Sequence, residues 1–404
     1  MTIKKIAVLG AGAVGSYIIW GLSQRDDIEL GVVAEGERAE RLKQNGIKIN
    51  DVVYRPKVWS PQEAHGADLL VIALKYGSLP SALDSIKVVV GENTVVMSLM
   101  NGVDSEEIIS SAIDASQVLY SVIKVASHRE DGGYRFDPAT TIGIIFGELY
   151  APFESERVKA VEKLFEGTGI HYRHTDFIRE EMWSKFRLNV CNNLPQAVLG
   201  AGVGCYRDSE HMKAISDGLR RELEAIAAAK GIDISKADAS SSKGSLVPPT
   251  ARYSTLQDLD AGRHTEIDMF SGALIRMGKE LGIPTPYNEY TYHIIKALEE
   301  KNDGLFDYAE SDERLHGRCK NERRTAMNSF RCELIRLANG HLSCELVGAE
   351  PSDIGEVKGI LEEKFGKEMQ RESVCVMSDE WSDVFIMQFL KSSHSADRLI
   401  NTNF

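Results

Sequence analysis

Residues Ile6–Gly15 read IAVLGAGAVG, an apolar run followed at once by glycines at 10, 12 and 15. The run suits a short buried strand, and G-x-G-x-x-G then opens a helix behind it. Each glycine has a mechanical task. Gly10 makes the tight turn, Gly12 lets the backbone approach a pyrophosphate, and Gly15 lets the helix pack closely. The first helical turn offers unpaired N–H groups and a partial positive charge to phosphates, so Ala11, Ala13 and Val14 belong to the same cradle. An acidic residue about 20 positions onward completes the pattern: Glu35 follows a second apolar run, IELGVVA at 28–34. The bland alternative is a glycine turn needed only for packing. Strand, helix and acid in the right order favour dinucleotide binding.

Working outward, further strand-like runs are ADLLVIALK (67–75), NTVVMSLM (93–100), VLYSVIKVA (118–126), TIGIIFGEL (141–149) and GIHYRHTDF (169–177). Strands alternating with helical stretches predict parallel βαβ units and a doubly wound sheet, here a Rossmann-type α/β domain over 1–175. From 176 to 303 the patterns are helical, which predicts an all-helical substrate and catalytic domain. Residues 304–326 are polar and charge-rich, a linker. In 327–404, Phe330, Cys332 and Leu334 alternate, Asn339-Gly340 follows, and Leu342, Cys344 and Leu346 alternate again. Asn-Gly between alternating runs predicts a hairpin. Ser352 is a cap candidate for a helix carrying Ile354, Val357, Leu361 and Phe365, with Gly366 as its stop. SVCVM (373–377) and VFIMQFL (384–390) read as further strands of a small α+β extension of unassigned role. This tail carries no catalytic motif and is expected to be dispensable for chemistry.

The 404-residue chain has a formal net charge of −13 and 43% apolar residues. The acidic balance argues against non-specific nucleic-acid binding. No apolar run approaches the roughly 18 residues of a membrane span, so no membrane partner is expected. The N-terminal apolar run leads straight into the glycine motif rather than a cleavage site, and the expected location is the cytoplasm. Six cysteines show no metal-ligand spacing, and no metal site is expected.

Ser184–Leu194 reads SKFRLNVCNNL. Lys185, Asn189 and Asn193 recur every four residues and line one helix face, opposite the apolar row Trp183, Phe186, Val190 and Leu194. An amine and two amides aimed at one place suggest a site; the alternative is a solvated face with Glu181 pairing Lys185. A second polar cluster comprises STLQD (254–258) and RHTEID (263–268). There, Thr265 is a plausible helix cap with Glu266 in the first turn.

The glycine motif, Lys75 after the fourth strand, Asn101-Gly102, K-x3-N-x3-N and S-x2-Q-D…RHTEID occur together in an order that resembles the 2-dehydropantoate 2-reductase (ketopantoate reductase) family, over about residues 3–302. The resemblance implies hydride transfer from a nicotinamide to the C2 carbonyl of 2-dehydropantoate, giving (R)-pantoate for pantothenate and coenzyme A synthesis. It implies Lys185 as the general acid, with Glu266 as the second catalytic residue. Asn189, Asn193, Ser254 and Asn101 are implied as substrate ligands, and Lys75 and Asn101 as further contacts to the cofactor. The implied partner is a small anionic 2-oxo acid, with a homodimer as the candidate assembly. Two departures stand out. The loop GAGVGCYRD (200–208) has Val203 where the family often places a polar ligand, which leaves another branched 2-oxo acid open as substrate. In VVAEGERAERLK (32–43), Glu35 stands where a typical member has arginine. The family pattern favours NADP(H). Glu35 favours NAD(H), although Arg38 and Arg41 lie near enough to meet a 2′-phosphate. A cofactor-sensing protein without chemistry is the rival from another class; intact Lys185 and Glu266 argue against it.

Overall fold

A computed structural model describes residues 1–238 and 247–306, and beyond them the strands 331–336, 342–347, 369–373 and 384–391. The chain divides into two compact units, Met1–Asp307 and Tyr308–Phe404.

The opening apolar run becomes β1 (Lys5–Leu9), and α1 (Ala13–Leu22) starts just past the second glycine. Next come β2 (Glu29–Val33), α2 (Gly36–Asn45), β3 (Ile47–Ile49), β4 (Val52–Tyr54), β5 (Lys57–Trp59), α3 (Pro61–Ala64), β6 (Leu69–Ile72), α4 (Leu79–Val89) and β7 (Val95–Ser98). Five of these strands form a sheet of order β5-β2-β1-β6-β7, parallel throughout. Parallel strands are covered on both faces, which is why β6 and β7 are buried along their whole length and apolar except at Ser98. Ile6, Val8, Leu69, Val71, Val95 and Met97 pack on one face with α1, while Ala7, Leu9, Leu70, Ile72 and Val96 pack on the other with α3 and α4. The strand order reverses between β1 and β6. In such sheets ligands bind at that switch point, outside the carboxyl ends of the strands.

Two departures from the sequence reading concern strands. β3, β4 and β5 have three residues each, too short to show a period; β6, the strand before Lys75, is the sixth along the chain and the fourth of the parallel sheet, as expected. After α5 (Ser105–Ser110) come β8 (Tyr120–Lys124), β9 (His128–Glu130), β10 (Gly133–Arg135), β11 (Gly143–Gly147), α6 (Glu156–Phe165) and β12 (Tyr172–His174). β8 and β11 pair antiparallel in a separate sheet of order β12-β11-β8, in which β11 and β12 are parallel, so the all-parallel sheet ends at β7 and a mixed one follows. β3, β4, β9 and β10 make a small sheet of their own.

The helical part begins with α7 (Ile178–Leu188), a π-helical turn at Asn189–Asn193, and α8 (Leu194–Leu199). It continues through α9 (Cys205–Asp208), α10 (Glu210–Ala229), α11 (Ser235–Asp238), α12 (Ser254–Asp260), α13 (Ser271–Leu281) and α14 (Pro286–Asn302). Trp183, Phe186, Val190 and Leu194 are buried in one core with residues of α10, α13 and α14. Val122 of β8 and Ile145 of β11 join that core, so the helices grow from the back of the second sheet.

In the second unit, β13 (Arg331–Arg336) and β14 (Leu342–Val347) pair antiparallel, with Leu334 opposite Cys344 across the predicted hairpin. The sheet order is β13-β14-β16-β15, with β15 at Met369–Ser373 and β16 at Val384–Lys391. The expected strand over 373–377 is thus described only at Ser373, where β15 ends. Residues 307–326 of the expected linker and the helix capped by Ser352 lie outside the described residues.

Candidate active site

The glycine turn sits at the switch point. Gly10 has φ +105°, and a Cβ there would lie 2.4 Å from the carbonyl oxygen of Ala73, just past β6. A Cβ on Gly15 would lie 1.9 Å from the carbonyl oxygen of Gly10. At both positions only glycine fits because protein backbone fills the space. Gly12 is different: a Cβ there would meet nothing within 4 Å. Its backbone, at φ −85° and ψ −160°, suits any residue, so the open space above it is what the glycine preserves. Gly12 is also the N-cap of α1 and has no side chain to occupy the first-turn N–H groups. This cradle fits a pyrophosphate. Gly12→Val is therefore expected to leave the thermal midpoint of the unliganded protein close to wild type. It should weaken dinucleotide binding at least about tenfold, or 1.4 kcal/mol, in a fluorescence titration.

Glu35 is the exposed N-cap residue of α2, just beyond β2 and beside the glycine turn, and Arg38 and Arg41 are exposed on the same helix. Lys75 follows β6 and donates to Asp258 Oδ2 of α12 at 3.2 Å.

The π-helical turn has a cause in the sequence. Pro195 has no N–H to give the Cys191 carbonyl, and its ring collides with that carbonyl in a regular helix, so the preceding turn widens. The Lys185–Asn189–Asn193 row therefore does not continue as a plain α-helical stripe. Asn193 Nδ2 donates to Asn189 Oδ1 at 3.3 Å, and Asn189 Nδ2 is buried with no partner among the described residues.

Lys185 Nζ donates to Asn101 Oδ1 at 2.7 Å, and Asn101 Nδ2 donates to Glu266 Oε2 at 2.9 Å. One amide thus bridges the ammonium and the carboxylate, from the loop after β7 to the helical part. The next residue, Gly102 (φ +88°), packs so closely on Met269 that a Cβ would lie 2.6 Å from that side chain. Burial pushes the Lys185 amine down to about 8; the Glu266 carboxylate opposes this shift and the Lys124 ammonium adds to it. An amine poised near neutral pH can donate a proton to an oxygen that gains negative charge.

The solvated-face reading of this helix does not hold. Glu181, 2% exposed, bonds Lys124 at 3.1 Å and also Arg173, while Lys185 turns to Asn101. The expectation of Thr265 as a helix cap with Glu266 in the first turn is also corrected, because α13 starts only at Ser271. Thr265 is held by Glu299, which accepts from its backbone N–H at 2.7 Å and its hydroxyl at 2.6 Å. Glu266 thus projects from an irregular turn. Ser254, exposed at the start of α12, has no hydrogen bond to Lys185, Asn101 or Glu266, although α12 packs on the π-helical turn.

Sequence reasoning missed Gln196, a fully buried side chain that donates to the Ala251 carbonyl at 2.8 Å and accepts from Tyr253 N–H at 2.7 Å. Val203 N–H donates to the same Ala251 carbonyl at 3.0 Å, so the 200–208 loop is stitched to the segment leading into Ser254. It also missed Arg276, which donates to the Tyr76 hydroxyl at 3.0 Å and Asp104 at 3.1 Å. Neither stands out by spacing, since their partners are remote in sequence.

A family model described as ketopantoate reductase PanE/ApbA matches residues 6–146, and one for the C-terminal part of that family matches 177–299. The 2-dehydropantoate 2-reductase of Mesorhizobium japonicum is 27% identical over 326 residues, covering 73% of this chain and 97% of that protein. A PanE/ApbA family ketopantoate reductase from Ralstonia eutropha superposes with a TM-score of 0.63 at 25% identity, covering 74% of this chain and 99% of its own. A D-mandelate dehydrogenase solved with NADH and anilino(oxo)acetate has a TM-score of 0.65 at 22% identity, covering 74% and 99%, a likeness of fold.

Proposed function

The chain belongs to the ketopantoate reductase family and is an NAD(P)-dependent oxidoreductase, and from that premise we propose that it reduces 2-dehydropantoate to (R)-pantoate with NADP(H), in pantothenate and coenzyme A synthesis. The observation that carries this reading is the Lys185–Asn101–Glu266 chain of hydrogen bonds, which joins the loop after β7 to the helical part. Gly10 to Gly15, Glu35 and Lys75 would hold the dinucleotide, which when bound supplies hydride to the C2 carbonyl carbon.

This chain's own residues do the rest. Lys185 keeps two N–H groups beyond the one given to Asn101. One meets the carbonyl oxygen and passes its proton there as the alkoxide forms. Asn189 Nδ2, buried and without a partner among the described residues, is a donor suited to the substrate's carboxylate. Asn193 fixes the Asn189 amide, and Ser254, at the start of the α12 that packs on this turn, would be a further substrate ligand. Glu266 holds Asn101 in the orientation that presents its oxygen to the ammonium.

A second reading, reduction of another branched 2-oxo acid with NAD(H), is favoured by Val203 and Glu35. An apolar side chain at 203 gives a substrate's distal hydroxyl nothing to bond. Loss of reduced-cofactor absorbance with 2-dehydropantoate and with 3-methyl-2-oxobutanoate, which lacks that hydroxyl, separates the two. A clear kcat/KM preference for the second acid would sink the first reading. For the cofactor, Glu35→Arg is expected to shift the NADPH/NADH ratio of kcat/KM at least about tenfold towards NADPH. A carboxylate there suits paired ribose hydroxyls and repels a phosphate dianion. An unchanged ratio would place the selecting groups elsewhere.

A further inference from the structure

Lys75 and Asp258 are 183 residues apart in sequence and join the segment after β6 to α12 at 3.2 Å. Lys75 follows β6 by three positions, and the backbone at Ala73 is in direct contact with the glycine turn through Gly10. Asp258 is on α12, four residues after Ser254. The two side chains differ in exposure: 59% for Lys75 and 13% for Asp258.

Asp258 is itself held in place. Its Oδ1 accepts from Arg263 Nε at 2.8 Å, and its backbone carbonyl accepts from Arg263 N–H at 2.8 Å. Only Oδ2 reaches Lys75. Arg263 already balances the Asp258 carboxylate, so the three side chains together keep one positive charge. The ammonium uses one N–H on Asp258 and has two left to offer. A lone, exposed lysine would lose side-chain entropy on meeting an anion, whereas one restrained by a neutralised carboxylate has lost part of it beforehand.

We propose that Asp258 is a positioning residue: from the helical part it holds the Lys75 ammonium beside the glycine turn, so that the anionic portion of the dinucleotide meets an oriented cation. This rests on the reading above that Lys75 contacts the cofactor. The opposite effect, competition between Asp258 and the cofactor for Lys75, requires an uncompensated carboxylate, and Arg263 removes that condition.

The test is direct dinucleotide binding, measured as Kd by fluorescence titration of NADPH and NADH, without turnover. The proteins are wild type, Asp258→Asn, Asp258→Glu, Lys75→Met and the double variant Asp258→Asn/Lys75→Met, each checked for an intact thermal transition. Asp258→Asn is expected to raise Kd by about five- to tenfold, and Asp258→Glu to recover part of the loss. The double variant should bind no worse than Lys75→Met alone, because Asp258 acts only through Lys75. If Lys75→Met weakens binding while Asp258→Asn binds as wild type or tighter, the proposal is overturned and the cofactor role of Lys75 stands. Additive losses in the double variant overturn it as well. If Lys75→Met leaves Kd unchanged, the cofactor assignment of Lys75 falls and takes the proposal with it.

Discussion

Lys185→Ala lowers kcat by about 10²- to 10⁴-fold, the range for a lost general acid, while the fold survives. The expectation follows from a 2.7 Å bond to Asn101 and from burial that brings the amine to about 8. Lys185→Arg should rescue little, because a guanidinium keeps its charge but does not release the proton at working pH. The pH profile makes the role specific. The ammonium is the reactive form for reduction, so kcat/KM should be level below pH 8 and fall as pH rises through about 8. Stability moves in the opposite direction. The folded value of about 8 lies below the ordinary 10.5, so between these limits the unfolded chain binds more protons and stability rises with pH. The buried ammonium thus costs stability at neutral pH, and Lys185→Ala should melt no lower than wild type there. A variant within a few-fold of wild-type kcat would make Lys185 an ordinary wall residue.

Glu266→Ala is the second large effect, a loss on the order of 10²-fold in kcat/KM, comparable to removing one preorganised group from a transition-state array. Glu266 orients Asn101 at 2.9 Å, and its charge raises the affinity of Lys185 for its proton. Two consequences separate that role from anchoring of the turn. Both KM and kcat should worsen, and the alkaline limb of the pH profile should move to lower pH because the carboxylate no longer supports the ammonium. Glu266→Gln retains an acceptor for Asn101 and removes only the charge. It should show the pH displacement with a smaller loss of rate. Unchanged steady-state constants with a lower melting point would reduce Glu266 to a structural residue of the segment before α13.

The sequence alone carried the parts of this protein that rest on local order. Gly10, Gly12 and Gly15 behind an apolar run specify a strand, a turn and a helix N-terminus, because the steric demands act within a few residues. The buried row Trp183, Phe186, Val190 and Leu194 was legible for the same reason, since helical periodicity records which face is buried, whereas the polar row of Lys185, Asn189 and Asn193 is interrupted by the π-helical turn. Even the Cys332–Leu334 and Cys344–Leu346 alternation told of its hairpin. Tertiary structure decided what periodicity does not encode. Three-residue strands such as β3 and β4 are shorter than any pattern, and a partner strand fixes them. The helical pattern of the sequence runs on to Gly200 without a break; that Pro195 is met by widening the turn at Asn189–Asn193 depends on how that turn packs against α10 and α12. The Glu266 carboxylate reaches Asn101, 165 residues away, and Lys75 reaches Asp258 over 183. Such pairs leave no trace in spacing, because they form only when the helical part docks on the carboxyl end of the parallel sheet. That docking brings polar residues remote in sequence within hydrogen-bond reach of one another.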